Sequence, residues 1–149
     1  MLFREAEYED LSDLVQMLFD DPLGQLREDG HVPINPAYLL AFEAILEDKN
    51  NELIIVEDKG DILGMLQLTF IPYLTHIGSW RCLIEGVRVH KAHRGKGLGT
   101  QFFKWAIARA KQRQCHMVQL TSNKERVDAL RFYQNLGFEA SHEGFKLQL

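Results

Sequence analysis

The stretch from Val87 to Thr100 constrains the fold of this chain more than any other segment. An apolar strand is predicted to end at Val89, a basic turn with three glycines follows, and an amphipathic helix begins at once. Glycine lacks the Cβ atom that would keep a ligand away from the backbone. The first N–H groups of a helix have no intrahelical partner, and the helix dipole adds positive charge there. Together with Arg94 and Lys96, these features predict a binding turn for a pyrophosphate or polyphosphate anion.

The spacing of the glycines separates this turn from two common phosphate-binding motifs. A P-loop places a serine or threonine directly after its lysine, whereas Lys96 lies between two glycines. A dinucleotide-binding fingerprint has the spacing Gly-x-Gly-x-x-Gly early in a βαβ unit. Here the spacing is Gly-x-Gly-x-Gly, and it comes after several predicted strands. Neither motif accounts for the turn, and a glycine-rich surface turn without a ligand is the simple alternative.

The turn resembles the signature of the GNAT superfamily of acetyl-CoA-dependent N-acetyltransferases. That signature is Arg or Gln, two residues, Gly, one residue, then Gly or Ala, and Arg94, Gly97 and Gly99 satisfy it. A second stretch, Ala129–Phe138, is similar to the GNAT ending Ala-x-x-Phe-Tyr-x-x-x-Gly-Phe. Its physical parts are a helix, a glycine at the helix exit and an aromatic residue opening the next strand. The resemblance extends over essentially the whole chain.

Size and composition limit the classes of protein that fit this sequence. The 149 residues suit a single domain, residues 1–149, and the hydrophobic fraction of 46% is ordinary for a globular core. The net charge of −4, without a basic face, argues against a nucleic-acid partner. No apolar run approaches the ~20 residues of a membrane span, and no signal-like segment is apparent. Cys82, Cys115 and the scattered histidines predict no metal site and no disulfide framework, so we expect a cytoplasmic protein without a metal.

Periodicity and breaker residues divide the chain into elements. Strands are predicted over 2–6, 53–57, 62–70, 80–89 and 117–121, with closing strands that start at Phe138 and at Phe145–Leu147. Helices are predicted after a cap at Asp10, from Asn35–Pro36, over 97–112 and over 126–135, and residues 20–35 are predicted to form a polar loop. This order matches the GNAT order. The resemblance implies an α/β (α+β) fold whose central, mixed, mostly antiparallel sheet has about seven strands, splayed between strands 4 and 5 and flanked by about four helices.

The resemblance implies that acetyl-CoA is the co-substrate and that two segments bind it. The strand before the turn would offer backbone hydrogen bonds to the pantetheine arm from Val87, Arg88 and Val89. The N–H of Val89 would also stabilise a developing oxyanion. The turn would contribute Arg94, Gly95, Lys96, Gly97, Leu98, Gly99 and Thr100.

Two positions depart from the common GNAT pattern. Arg126 stands where an asparagine is common, so either Arg126 or the nearby Asn123 would contact the cofactor. Lys91 replaces the usual proline after the strand. Neither change removes the groups that the chemistry requires.

Glu85 is the candidate general base, because GNAT members often have a glutamate at this position. By strand alternation it would share a face with Leu83, Val87 and Val89, and partial desolvation would raise its pKa toward that of a useful base. A bulge at Gly86 would change this assignment of faces. Glu85 would act directly or through water; the alternative is a structural glutamate.

Tyr133 is the candidate general acid, since it matches the tyrosine of the GNAT ending. A phenol of pKa ~10 stays protonated at neutral pH and can donate a proton to a thiolate of pKa ~8.5. The alternative is a core tyrosine packed beside Phe132.

The acceptor is expected to be a primary amine of a small molecule or of a protein, and a homodimer is a further expectation. Residues 20–35 and 72–79 would shape the acceptor site, with His31, Tyr73 and His76 as candidate contacts. The acidic residues of the first loop would attract a cationic amine or would simply be solvated. They are Asp20, Asp21, Glu28 and Asp29, with Arg27 among them.

Two other functions compete with catalysis. One is a non-catalytic GNAT-fold sensor or regulatory module that binds acyl-CoA, and the other is a transcriptional regulator. Glu85 and Tyr133 favour catalysis, because a pure binding module needs neither. No helix-turn-helix pattern or basic face supports a DNA-binding regulator.

Overall fold

A computed structural model describes residues 1–149 of the chain. Five strands form one mixed sheet in the order β1-β2-β3-β4-β5. The strands are β1 (Leu2–Glu5), β2 (Asn51–Asp58), β3 (Asp61–Pro72), β4 (Trp80–Val89) and β5 (Met117–Gln119). The helices are α1 (Leu11–Phe19), α2 (Pro36–Glu47), the one-turn segment α3 (Thr75–Gly78), α4 (Leu98–Gln112) and α5 (Ala129–Asn135). None of these helices combines the length and the apolar character that a membrane-spanning helix needs.

The sheet opens between β4 and β5. Strands β1 to β4 are antiparallel neighbours, whereas β5 runs parallel to β4 and pairs only with Arg81–Leu83. Strand β4 continues to Val89, so residues 84–89 keep one edge without a neighbouring strand. The opening expected between strands 4 and 5 is therefore present as a free backbone edge.

Helices cover both faces of the sheet, and each face has its own apolar core. Burying one large apolar side chain contributes about 1.5–3 kcal/mol, so both layers contribute substantially to stability. On the face that α4 covers, the buried residues include Ile54, Val56, Leu66, Leu68, Phe70, Cys82, Ile84, Phe102, Phe103 and Ala106. On the face that α1 and α2 cover, they include Leu11, Leu14, Val15, Met17, Phe42, Leu53, Ile55 and Met65.

A β-bulge at Gly86 interrupts the alternation of β4. Glu85 pairs with Gln67, but Arg88 pairs with Met65, so β4 advances three residues where β3 advances two. Gly86 has φ +61°, a left-handed conformation that glycine adopts at little cost. One extra residue at this point reverses which side chains of β4 face each helical layer.

The starts of α1 and α2 are organised differently. The side chain of Asn35 caps α2 by accepting the Ala37 N–H at 2.9 Å, as predicted. Asp10 precedes α1 but does not cap it, because its carboxylate accepts the Glu7 N–H at 2.7 Å and pairs with Arg4 at 2.8 Å. The prediction of a helix cap at Asp10 is therefore wrong, and the residue ties β1 to the turn before α1.

The prediction of about seven strands and four helices is corrected to five strands and five helices. The closing strands expected at Phe138 and Phe145–Leu147 do not form, since residues 139–149 make no backbone hydrogen bond. Alternating apolar residues form a strand only where a neighbouring strand offers an edge to pair with. Strand β5, which would offer that edge, has only three residues. The additional helical element is α3, where His76 and Ile77 have left-handed dihedral angles.

Candidate functional site

The turn between β4 and α4 has an open backbone, as a phosphate-binding turn requires. Gly95 and Gly97 have φ +77° and +73°, and a Cβ placed on either would meet nothing within 4 Å. Helix α4 begins directly afterwards at Leu98, so its first N–H groups lie next to this space. Lys96 is exposed there, and its charge adds to the positive end of the helix dipole.

The backbone of Val89 faces the opening between β4 and β5. The N–H of His90 donates to the carbonyl of Leu63 on β3 at 2.8 Å. Because successive residues of a strand direct their N–H and C=O groups to opposite sides, those of Val89 point away from β3. The Arg94 Nε accordingly donates to the Val89 carbonyl at 3.1 Å, and this bond folds the turn onto the end of β4. The Val89 N–H is thus available to a ligand in the opening.

Glu85 does not share a face with Val87 and Val89, and the sequence-based assignment of faces is corrected. Val87 and Val89 pack against the core under α4, whereas Glu85 lies beside Gln67 on the face of α1 and α2. The Gly86 bulge causes the difference. Glu85 is exposed, so the expected desolvation is absent. Next to it, a largely apolar cavity of about 160 Å³ lies between the sheet, α1 and α2.

Tyr133 lies in α5 within an aromatic cluster. Its ring centroid is 5.4 Å from those of Phe103 and Phe132 and 6.0 Å from that of Phe138. Burial raises the pKa of the phenol, while the charges of Arg126 and Arg88 act in the opposite direction. The group therefore stays protonated throughout the neutral range, and two cations lie near enough to influence it.

Arg88, Arg126 and Asp21 form an ion network that was not predicted from the sequence. The Arg126 Nη2 lies 2.8 Å and the Arg88 Nη2 lies 3.7 Å from the Asp21 Oδ2. The same oxygen accepts the Gly24 N–H at 3.1 Å. Burial alone would raise the pKa of Asp21, but these hydrogen bonds and charges lower it. The network joins three segments distant in sequence, so no local pattern could have revealed it.

The remaining predicted cofactor contacts lie around the same opening. Asn123 is exposed, and its side chain accepts the Glu125 N–H at 2.9 Å. Thr100 and Leu98 are half-buried in the first turn of α4. A Cβ on Gly99 would lie 3.6 Å from Phe132, so α5 packs against the start of α4. Arg126 is engaged by Asp21 on the opposite side of β4.

The acidic residues of the loop before α2 all have partners within the protein. None of these carboxylates is therefore left unpaired to bind a cationic amine. Asp20 pairs with Lys91 at 3.0 Å, Asp21 with the two arginines, Glu28 with Arg27 at 2.7 Å, and Asp29 with His31 at 2.6 Å.

The two other candidate acceptor contacts lie at the β3–β4 end. Tyr73 is covered by the guanidinium of Arg81 at 4.2 Å, and His76 is exposed. No group of three or more His, Cys, Asp or Glu side chains is placed to hold a metal ion.

Comparison with known proteins decides the family. Residues 12–138 match the model of the Acetyltransferase (GNAT) family. The chain belongs to this family. GNAT proteins use acetyl-CoA as co-substrate, and this chain is an acetyl-CoA-dependent acyltransferase. The open glycine turn and the free edge of β4 fit such a co-substrate.

Individual proteins are similar to this chain in sequence or in fold. The aminoalkylphosphonate N-acetyltransferase of Salmonella typhimurium is 32% identical over 109 residues, which are 73% of this chain and 70% of that protein. A crystal structure described as a transcriptional regulator from Bacillus halodurans C-125 has a TM-score of 0.96 and 55% identity over 99% of both chains. A predicted acetyltransferase of Clostridium acetobutylicum, crystallised with acetyl-CoA, has a TM-score of 0.75 and 22% identity over 99% of this chain and 95% of its own. That last likeness concerns the fold alone.

Proposed function

We propose that this GNAT protein transfers the acetyl group of acetyl-CoA to a primary amine by direct attack in a ternary complex. The observation that carries this proposal is the unpaired edge of β4 next to the open turn at Gly95 and Gly97. One strand thus offers hydrogen-bonding groups beside an anion-binding helix start. This combination suits a ligand with an amide-rich arm and a pyrophosphate.

The co-substrate contacts are assigned to two segments. Within Val87–Val89, the backbone groups that point away from β3 would bind the pantetheine arm, and the Val89 N–H would donate to the thioester oxygen as negative charge develops there. Asn123 lies in the loop after β5, on the other side of the opening. The turn would bind the pyrophosphate through residues 94–100.

The chemistry requires one base and one acid. An ammonium proton of the acceptor passes to Glu85, directly or through water, because only the neutral amine is nucleophilic. The amine nitrogen then bonds to the acetyl carbon, the carbon–sulfur bond breaks, and Tyr133 gives its proton to the departing thiolate. The second proton lost by the nitrogen restores Tyr133. The balance is one amide, one thiol and one proton released to solvent.

The acceptor is proposed to be a small-molecule amine, with a protein amino group as the other option. The relative from Salmonella typhimurium, an aminoalkylphosphonate N-acetyltransferase, supports the small molecule. A cytoplasmic location and a homodimer belong to the same proposal, and fractionation and sedimentation would test them.

Two measurements test this function. Calorimetry should show acetyl-CoA binding, and thiol release should follow the addition of amines from a panel of aminoalkylphosphonates, amino acids, amino sugars, polyamines and peptides.

Gly97→Val should abolish acetyl-CoA binding because the valine side chain would occupy the open space of the turn. Gly60→Val is the matched control, since Gly60 also has a left-handed φ of +85° and empty surroundings but lies in the β2–β3 turn. Equal acetyl-CoA affinity in both folded variants would contradict the assignment.

An acyl-CoA-binding regulatory module is the second candidate. The description of the Bacillus halodurans protein as a transcriptional regulator favours it. Such a module would bind acetyl-CoA at the same turn without thiol release for any amine. Turnover with one amine of the panel would exclude a purely regulatory role.

A further inference from the structure

We propose that Arg88 and Arg126 form a subsite for an anionic group of the acceptor, which makes the substrate an amine with a phosphonate, phosphate or carboxylate close to its nitrogen. This inference rests on the proposed acetyl transfer and narrows its substrate class. The arginine pair lies beside β4 on the face opposite α4, where Glu85 also lies.

The first argument is unused hydrogen-bonding capacity. A guanidinium has five N–H donors. Arg88 uses Nη1 for the Val87 carbonyl at 2.8 Å, its Nη2 is 3.7 Å from Asp21, and its buried Nε has no partner. The Arg126 guanidinium has one hydrogen bond, to Asp21. Buried polar groups are normally paired, so the buried Nε of Arg88, which has no acceptor, points to a ligand. The Arg126 side chain is 39% exposed, so its free N–H groups are open to a ligand from solvent.

The second argument is charge. Two guanidiniums share one carboxylate, so the network carries one excess positive charge. The Arg88 side chain is only 13% exposed, and burial lowers the pKa of its guanidinium while the charge of Asp21 opposes that shift. An excess positive charge is costly where it is buried, as at Arg88, unless an anion compensates it. An arginine pair suits this anion, because guanidinium forks bind phosphonate and carboxylate oxygens in pairs.

The third argument is position. The Gly86 bulge makes Glu85 and Arg88 successive residues on one face, about 7 Å apart along the strand. Tyr133 is near enough that the charges of Arg88 and Arg126 influence the pKa of its phenol. An acceptor held by its anionic group would therefore place an amine on a short aliphatic spacer between the proposed base and the proposed acid.

The experiment compares amines of matched length. Thiol release with acetyl-CoA would be measured for 2-aminoethylphosphonate, β-alanine, propylamine and 1,3-diaminopropane. We expect kcat/KM to be at least about tenfold higher for an anionic amine than for propylamine, because hydrogen bonds between charged groups contribute that much. The two anionic amines distinguish a phosphonate from a carboxylate. Equal values for all four amines, or a preference for the diamine, would overturn the proposal.

Variants connect this preference to the arginines. Arg126→Gln should lower the ratio of kcat/KM for the anionic amine to that for propylamine toward one, while Arg126→Lys should keep part of it. Lys111→Gln removes a charge from an exposed site in the last turn of α4 and should keep the full ratio. A decrease in kcat/KM that is equal for the anionic amine and for propylamine would assign the arginines a structural role. A loss of acetyl-CoA affinity would assign Arg126 to the cofactor, and either result would contradict the subsite.

A binding measurement separates this proposal from the proposed function. Calorimetric titration of 2-aminoethylphosphonate and β-alanine into the protein with CoA reports the subsite even if no amine is acetylated. Binding that is lost in Arg126→Gln would support the subsite and leave catalysis in question. Absence of binding by the folded wild-type protein would overturn the subsite, whatever the turnover with other amines.

Discussion

Tyr133 combines two properties that a general acid requires: a proton at neutral pH and a fixed position. Its pKa is raised by burial, and its ring packs against Phe103, Phe132 and Phe138. Tyr133→Phe preserves this packing and removes the proton. We expect kcat to fall by ~10²-fold, with acetyl-CoA affinity changed by no more than about twofold.

Saturation kinetics and calorimetry would check this prediction, with Tyr8→Phe as the control. Tyr8 is exposed and packs edge-on against Phe42 on the other side of the sheet. A kcat within about twofold of the wild type would move the proton donation to water.

Glu85 is exposed, so the proposed role of its carboxylate as a base depends on its distance from the amine and not on burial. An alkylamine has a pKa ~10 and is mostly protonated at neutral pH. Glu85→Gln should therefore reduce kcat/KM most near pH 7 and progressively less as the pH approaches 10. A pH–rate profile of both forms with one good acceptor measures this. The matched control is Glu47→Gln on α2, whose profile should superimpose on that of the wild type; parallel profiles for Glu85→Gln would leave Glu85 as a structural residue.

Among the elements, β1 depends on one ion network for its connection to α1 and β2. Arg4 pairs with Asp10 at 2.8 Å and with Glu57 at 3.1 Å, and the Asp10 side chain is 11% exposed. The Arg4 guanidinium is the main cause of a lowered pKa for Asp10 in the folded protein. A carboxyl group whose pKa is lower in the folded than in the unfolded protein stabilises the fold at pH values above its unfolded pKa of ~3.9. This stabilisation is lost as the pH falls from that value through the pKa of the folded protein.

Asp10→Asn should consequently lower the free energy of unfolding at pH 7 by about 1–2 kcal/mol. The difference from the wild type should shrink below pH ~4, where the Asp10 carboxylate of the unfolded wild-type chain begins to be protonated while that of the folded protein stays ionised. Urea denaturation at a series of pH values measures both effects. Asp13→Asn, an exposed position on α1, is the control, and a difference that stays constant down to pH 2 would show that Asp10 acts by packing alone.

At the scale of the whole molecule, the sequence predicts those elements that have strong periodicity or clear caps. Strands β2, β3 and β4 and helix α4 could be predicted because alternating or helical apolar patterns define them within a short window. The closing strands could not be predicted correctly, because residues 139–149 form a strand only if a neighbouring strand has a free edge. The sequence of the segment itself does not show whether such an edge exists. The Asp21 network could not be predicted, because it depends on contacts distant in sequence. The face on which Glu85 lies depended on whether the bulge considered at Gly86 forms, and the sequence alone did not decide this.

The Gly86 bulge makes the orientation of the β4 side chains depend on the number of residues that precede them in the strand. Before the bulge one set of alternate residues lies on the side of α4, and after it the other set does. The distance in residues between Glu85 and Arg88 therefore matters as much as their identities. Loss of one residue there would turn the guanidinium of Arg88 toward the core under α4 and the valines toward the face that α1 and α2 cover. The number of residues in β4 therefore decides which of its side chains lie on each face of the sheet.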